Sequence, residues 1–377
     1  MIRKFLTILF AITLFVSCKN ENEFTIKGEY TAAPDGTVVY MTAVDDILNV
    51  LDSAVVKDGA FEFTGEVNEM EIRYISTGSI VDGGYIAVEP GEMKFRFGGK
   101  VECSGTENND LLNSFVNKCD EFAQLQMFTS PAYTAAMGMS DGEKDSIARF
   151  VAKEKEKFDD YAIKNINGNL SSPLGSFFFS KSVGLASAAK LEPLAGKIPE
   201  KYRDKFYERK LKLLKEIIEA ENADREYKKK LSENAETTSA GKEMQNFEIK
   251  NITGKQILFS DIVFSSKYTV LIFWASWDKG SIETAKKVNW LFAEYHKKGL
   301  NAAGLPLASP TEDVANIVAQ EKFGWQQLCD PAEDCAEVAT AYGVSSLPTI
   351  ILIDKNGTIV ARDLTVEELE KRVKELF

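Results

Sequence analysis

The apolar residues change their spacing twice along the chain, and that change restricts the fold more than any single motif does. Over 23–105 they alternate with period two, as in Phe24-Thr25-Ile26-Lys27 and Ala60-Phe61-Glu62-Phe63, and Asp35-Gly36, Asp58-Gly59, Gly83-Gly84 and Pro90-Gly91 punctuate the runs. Successive strand side chains point to opposite faces, so this alternation predicts hairpins with one buried face. Beyond 109 the period lengthens: Leu111, Leu112, Phe115, Val116 and Cys119 recur at helical spacing, as do Phe206, Leu211, Leu213, Leu214, Ile217 and Ile218. From 246 onward, strand-like segments at 247–249, 268–274, 300–307, 349–353 and 358–361 alternate with helix-like ones at 281–298, 311–323 and 366–377. That order predicts an α/β layer with at least one parallel crossover. The expected organisation is an antiparallel β domain at 18–105, a helical region at 106–233, a polar linker at 234–245 and an α/β domain at 246–377, behind a leader at 1–17. The mixed charges Lys212, Lys215, Glu216 and Glu219 read as the solvated face of a helix rather than a membrane-surface or partner-binding one.

Charge and composition remove several functions. With Lys+Arg 45 against Asp+Glu 57 the net charge is −12, which takes away the phosphate attraction that nucleic-acid binding rests on. One histidine in 377 residues, His296, makes a multi-histidine metal site impossible, and no metal or other cofactor is expected. His296, beside Lys297 and Lys298, reads as a surface residue complementing a helix C-terminus. No apolar run reaches the roughly 20 residues of a membrane span.

At the N-terminus, Arg3 and Lys4 precede an apolar run at 5–16 too short to be a permanent anchor, so 1–17 reads as a signal peptide. Phe15-Val16-Ser17-Cys18 resembles the lipobox of bacterial lipoproteins, with Phe15 where leucine is commoner. The resemblance implies cleavage before Cys18 and lipidation of that cysteine. A plain secretory peptide with an incidental cysteine is the alternative. Cleavage would remove two positive charges and bring the mature chain to −14. The expected location is the cell envelope, periplasmic or outer-membrane associated, with the membrane reached through the lipid and with oxidising conditions in which disulfides persist.

Three motifs carry a family resemblance. Val270-Leu271-Ile272-Phe273-Trp274-Ala275-Ser276-Trp277 resembles the strand leading into the active site of thioredoxin-like thiol-disulfide oxidoreductases of the envelope type. Tyr342-Gly343-Val344-Ser345-Ser346-Leu347-Pro348-Thr349 and Ile353-Asp354-Lys355-Asn356-Gly357 resemble that family's cis-proline loop and following hairpin, and 241–255 resembles its lead-in. The stretch at 52–65 resembles an uncharacterised β domain that often precedes thioredoxin domains in envelope lipoproteins. The resemblance implies a thioredoxin-like fold for the last domain and Cys-x-x-Cys after the second tryptophan, where a helix N-terminus lowers the first thiol's pKa. Here those positions read Asp278-Lys279-Gly280-Ser281. Asp278 cannot form a disulfide, and Ser281 is a poor nucleophile without a base. The family's flanking residues are also replaced, by Ile282, Thr284 and Lys286.

Asp278 is expected to cap the helix that follows, and Pro348 to be cis, shaping a shallow peptide-binding face with Trp277, Asp278 and Leu347. Cys329 and Cys335, separated by five residues, could form a local disulfide or a redox pair, and Cys103 and Cys119 could pair across the β-to-helix junction, unless Cys119 is an inert core thiol. The reading that follows is a lipid-anchored envelope protein whose thioredoxin-like domain is a non-redox binding or scaffold module for a peptide or envelope-protein partner. Its rival is a thiol-disulfide oxidoreductase or antioxidant enzyme using Cys329 and Cys335. A third reading is a structural lipoprotein whose β domain contacts glycans or other envelope components.

Overall fold

A computed structural model describes residues 21–44, 46–78, 82–328 and 334–377; the leader at 1–17, Cys18 and Cys329 lie outside the described residues. Two compact units make up the chain, one ending at Ala220 and the other spanning Glu221–Phe377.

In the first unit the period-two segments become β1 (Glu23–Glu29), β2 (Val38–Ala43), β3 (Asp46–Val55), β4 (Ala60–Glu66), β5 (Glu71–Ser76), β6 (Gly83–Val88), β7 (Gly91–Arg96) and β8 (Glu102–Ser104). They form two four-stranded sheets, ordered β4-β1-β7-β8 and β3-β2-β5-β6, antiparallel except that β1 and β7 run parallel. Burial follows the alternation: in β1, Phe24 and Ile26 are inside and Glu23, Lys27 and Glu29 outside. The helices are α1 (Glu107–Met127), α2 (Pro131–Ala136), α3 (Asp141–Gly168), α4 (Pro173–Ser182), α5 (Ala188–Ala195) and α6 (Lys205–Thr237), whose residues from 221 on belong to the second unit.

Strands and helices of this unit share one core, so the two regions expected from periodicity are not separate bodies. Ile26, Met93 and Phe95 of the sheets pack in the same cluster as Leu112, Phe115, Phe158, Phe178 and Leu214 of the helices. Helix α4 is buried on nearly every side, and its Phe178 stacks on Phe115 of α1 at 4.0 Å. Asn109, fully buried on α1, accepts from the Ala87 N–H at 2.9 Å and donates to the Ala87 carbonyl at 2.8 Å. One side-chain amide thus gives β6 the two bonds a neighbouring strand would supply, pairing both backbone groups of the buried Ala87. On α6, Tyr207 and Leu214 are buried while Lys212, Lys215, Glu216 and Glu219 are exposed, the solvated face expected; Leu213 is exposed with them. The expected linker at 234–245 opens on the last turn of α6, so its first residues are helical.

The second unit contains β9 (Glu248–Lys250), β10 (Gln256–Leu258), α7 (Phe259–Phe264), β11 (Tyr268–Trp274), α8 (Lys279–Tyr295), β12 (Leu300–Pro306), α9 (Thr311–Glu321), β13 (Gln326–Gln327), α10 (Asp334–Ala341), β14 (Thr349–Asp354), β15 (Ile359–Arg362) and α11 (Val366–Leu376). Its main sheet runs β13-β12-β11-β14-β15, with β12 parallel and β14 antiparallel to the central β11. Strand β11 is an unbroken apolar run because both faces of the sheet are covered. Leu271 and Phe273 pack with Phe259, Val263 and Val338 of α7 and α10, while Val270, Ile272 and Trp274 pack with Ala285, Val288, Leu369 and Val373 of α8 and α11. The Asn356-Gly357 turn forms as expected, with Asp354 Oδ1 accepting from the N–H of Asn356 at 2.8 Å and of Thr358 at 2.9 Å.

The end of α6 is fastened to this sheet by Arg362. Its side chain is 10% exposed, and Nη1 donates to the carbonyls of Ala235 and Tyr342, each at 3.1 Å, and to Thr238 Oγ1 at 2.6 Å. Gly343, at φ +63°, lies so close to the helix that a Cβ there would meet Ala235 N at 2.2 Å and Leu231 O at 2.4 Å. Gly343→Ala therefore adds left-handed strain to a backbone clash, and about 2–5 kcal/mol of destabilisation is expected. All four tryptophans, at 274, 277, 290 and 325, lie in the second unit. Urea unfolding followed by tryptophan fluorescence isolates the effect, and an unchanged midpoint would refute this account of the packing.

Candidate functional site

The register of the central sheet brings three loops to one end of it. Trp274 pairs with Pro306 at the end of β12, and Phe273 pairs with Thr349 at the start of β14. The segments 275–278, 307–310 and 345–348 therefore leave the sheet side by side. The first two are laced together: Leu307 N–H donates to the Trp274 carbonyl at 2.8 Å, Ser276 N–H to Ser309 Oγ at 2.8 Å and Trp277 Nε1 to the Ala308 carbonyl at 3.0 Å. Ala308 adopts φ +47°, unusual for a residue with a Cβ.

The two tryptophans have opposite fates. Trp274 is fully buried, with Nε1 donating to Gln327 Oε1 at 3.1 Å. Trp277 is 67% exposed, so its indole is held at one edge while its faces meet solvent.

Asp278 is the N-cap of α8. Its backbone is extended, at φ −100° and ψ 114°, and Oδ2 accepts from the Ser281 N–H at 2.7 Å. Hydrogen bonding from Ser281, with the Gly280 amide adding to it, holds the Asp278 carboxyl below the usual carboxylate range against some opposing desolvation. The carboxylate also sits at the positive end of the helix dipole. Ser281, in the first turn, is fully buried. One turn further on, Thr284 lines a cavity of about 480 Å³ with Ser345, Ser346, Pro348 and Thr349. The Leu347–Pro348 peptide is cis, as expected, and Leu347 packs partly into the core beneath. Of the four residues expected to share one face, Pro348 lies on this cavity, Trp277 lies against the 307–309 turn, and Asp278 is committed to the helix. Ala308 and Ser309 carried no signal in the sequence, since only strand register brings their loop to this end of the sheet, and Thr284 stood out only as a replaced family position.

Three cysteines lie among the described residues. Cys335 begins α10, 7% exposed, with Sγ 3.7 Å from the Leu328 carbonyl. Cys103 and Cys119 do not form the disulfide considered for them: each is a separate buried thiol, and Cys103 Sγ donates to the Asn109 carbonyl at 3.3 Å. Burial pushes both thiols up to about 12. His296 is exposed where α8 ends, with Nδ1 3.3 Å from the Leu300 carbonyl. Among the described residues no cluster of three or more His, Cys, Asp or Glu could hold a metal ion, and no helix is long and apolar enough to cross a membrane.

A mixed five-stranded sheet covered by helices on both faces, with a cis-proline loop beside the N-terminus of its first long helix, defines a thioredoxin-like domain, here carried behind a β and helical unit. Residues 240–362 match the AhpC/TSA family, and 24–112 match a domain of unknown function, DUF4369. Thiol-disulfide oxidoreductase ResA of Bacillus thuringiensis subsp. konkukian (strain 97-27) is 31% identical over 144 residues, 37% of this chain and 80% of that protein. The protein of the same name from Geobacillus thermodenitrificans (strain NG80-2) is 27% identical over 142 residues, 37% of this chain and 78% of that protein. A solved thiol-disulfide oxidoreductase from Bacteroides fragilis NCTC 9343 is 32% identical, covering 36% of this chain and 100% of that one, with a TM-score of 0.34. Through its second unit this chain belongs to the thiol-disulfide oxidoreductase family of the thioredoxin superfamily.

Two outcomes follow from the cap and the thiols. Asp278→Ala should cost about 1 kcal/mol at neutral pH and Asp278→Asn much less, since asparagine caps equally well. Because the folded carboxyl is depressed, its contribution is complete above the ordinary aspartate value of about 3.9 and disappears as pH falls through the lower folded value. Urea titrations of wild type and Asp278→Ala should therefore converge in acid; a gap that persists there would exclude the cap. Cys103 and Cys119 should resist a thiol reagent at pH 8 until the first unit unfolds, and rapid labelling of the native protein, mapped by mass spectrometry, would contradict their burial.

Proposed function

We propose that the second unit is a non-redox recognition module of a lipid-anchored envelope protein, holding an extended peptide or partner protein across the loop end of its central sheet. The observation that carries this reading is the state of positions 278 and 281. Where the family resemblance expects exchange thiols, an aspartate is engaged in capping α8 and a serine is fully buried. Around them the scaffold is retained: the cis Leu347–Pro348 loop, the tethered Trp277 and the cavity at Pro348. An exposed aromatic fixed at one edge offers a large apolar contact at little cost in side-chain entropy, which suits it to binding. The lipobox-like run ending in Cys18 supports the anchor and the envelope location.

Family membership favours a second reading, thiol-disulfide exchange or peroxide reduction through Cys329 and Cys335. Against it, the Cys335 side chain is buried, and a thiol must be reachable as thiolate to attack.

A photocrosslinking residue at 277 or 347, with one at 212 on α6 as control, tests the first reading in the native host. Capture of one defined partner at 277 and 347 and not at 212 is expected, and equal labelling at all three removes the proposal. Insulin reduction by wild type and Cys335→Ser tests the second. The expected result is background turnover in both; turnover lost in the variant would replace the binding reading with the enzymatic one.

A further inference from the structure

A cavity of about 740 Å³ opens in the first unit, bounded by α1, the start of β6 and the turn between β7 and β8. Its size is that of a small-molecule site, and it is independent of the reading given for the second unit. One wall is a stripe of α1 at helical spacing, formed by Asn113, Asn117, Asp120 and Gln124, so flat polar groups repeat along one side of the helix. Asn113 is engaged by the Cys103 N–H at 3.4 Å, whereas the side chains of Asn117, Asp120 and Gln124 make no hydrogen bond among the described residues.

Facing this wall are aromatic rings held rigid by their neighbours. Tyr30 stacks on Phe97 at 4.5 Å, and Tyr85 is fixed edge-on by Tyr74 at 5.1 Å and Phe177 at 4.8 Å. Asp82 lies at the rim. One of its carboxylate oxygens accepts from Thr77, and the other is buried without a hydrogen-bond partner. Buried polar atoms are nearly always paired, so an unpaired carboxylate oxygen beside a cavity points to a donor supplied from outside the chain.

The charges on the lining nearly cancel. Asp82, Asp120 and Glu121 stand with Lys100 and Lys181, and Lys181 already sits over the Tyr85 ring at 5.1 Å. A polyanion would meet three carboxylates and a polycation two ammonium groups, so a strongly charged ligand is disfavoured at either sign. The remaining chemistry is a set of amide and carboxylate groups opposite phenol and phenyl rings. A pyranose matches both: its C–H face packs on an aromatic ring, and its adjacent hydroxyls donate to and accept from the two atoms of an amide or carboxylate.

We propose that this cavity is a saccharide-binding site, with the Asn117-Asp120-Gln124 stripe and Asp82 reading hydroxyls and Tyr30 and Tyr85 supporting the sugar rings. Saturation-transfer NMR on the full chain tests it, using N,N′-diacetylchitobiose, maltotriose and cellobiose as probes, with the dipeptide Ala-Ala and inorganic phosphate as comparators. At least one saccharide should receive saturation, and its affinity should fall at least tenfold in Asn117→Ala combined with Gln124→Ala. Near-UV circular dichroism checks that this variant folds, and Asp120→Asn carries the same test if it does not. The proposal is overturned if no saccharide is saturated, if affinity is unchanged in the variants, or if Ala-Ala or phosphate binds there in place of the sugars.

Discussion

The geometry of the second unit depends on strand β11 being bonded along both edges and buried on both faces. A strand in that position cannot shift by one residue without exchanging the side chains that fill the two cores, Leu271 and Phe273 on one side and Val270, Ile272 and Trp274 on the other. Its register is therefore strongly specified, and with it the place where the chain leaves the sheet at Ala275. Every residue of the candidate site inherits its position from that exit: the tether of Trp277 to Ala308, the start of α8 at Lys279 and the approach of the cis-proline loop.

The same helix end that would favour a thiolate favours a carboxylate, because both are anions at the positive end of a peptide dipole. Asp278 therefore suits the electrostatics of the position, although a carboxylate has no thiol chemistry. It suits the local backbone as well. Asp278 accepts the N–H of Ser281 and pairs a donor that the first turn of α8 would otherwise leave exposed.

Polar side chains hold together what the apolar cores do not specify. Asn109 stands in for a missing strand beside β6, and Arg362 collects four oxygen acceptors where the end of α6 meets the sheet. Neither residue stood out in the sequence. Their roles depend on partners 22 and 127 residues away in the chain, a separation that local pattern does not report. The β domain and the helical region were legible as elements but not as one core, since periodicity identifies which face of an element is buried and not what buries it. Short elements such as β10, α7 and β13 escaped notice because two to six residues cannot display a period.

The sequence by itself determined the order and type of the long elements, the cap at Asp278 and the absence of thiols at 278 and 281, because each is written in neighbouring residues whose chemistry is local; the cis-proline loop was legible only through the family resemblance. Only the tertiary structure decided that Trp274 is buried while Trp277, three residues later, is exposed. It also decided that Cys103 and Cys119 remain separate thiols, and that an amide stripe on α1 faces a set of aromatic rings across a cavity. Those outcomes rest on packing between segments distant in the chain, where burial and pairing depend on which surfaces meet.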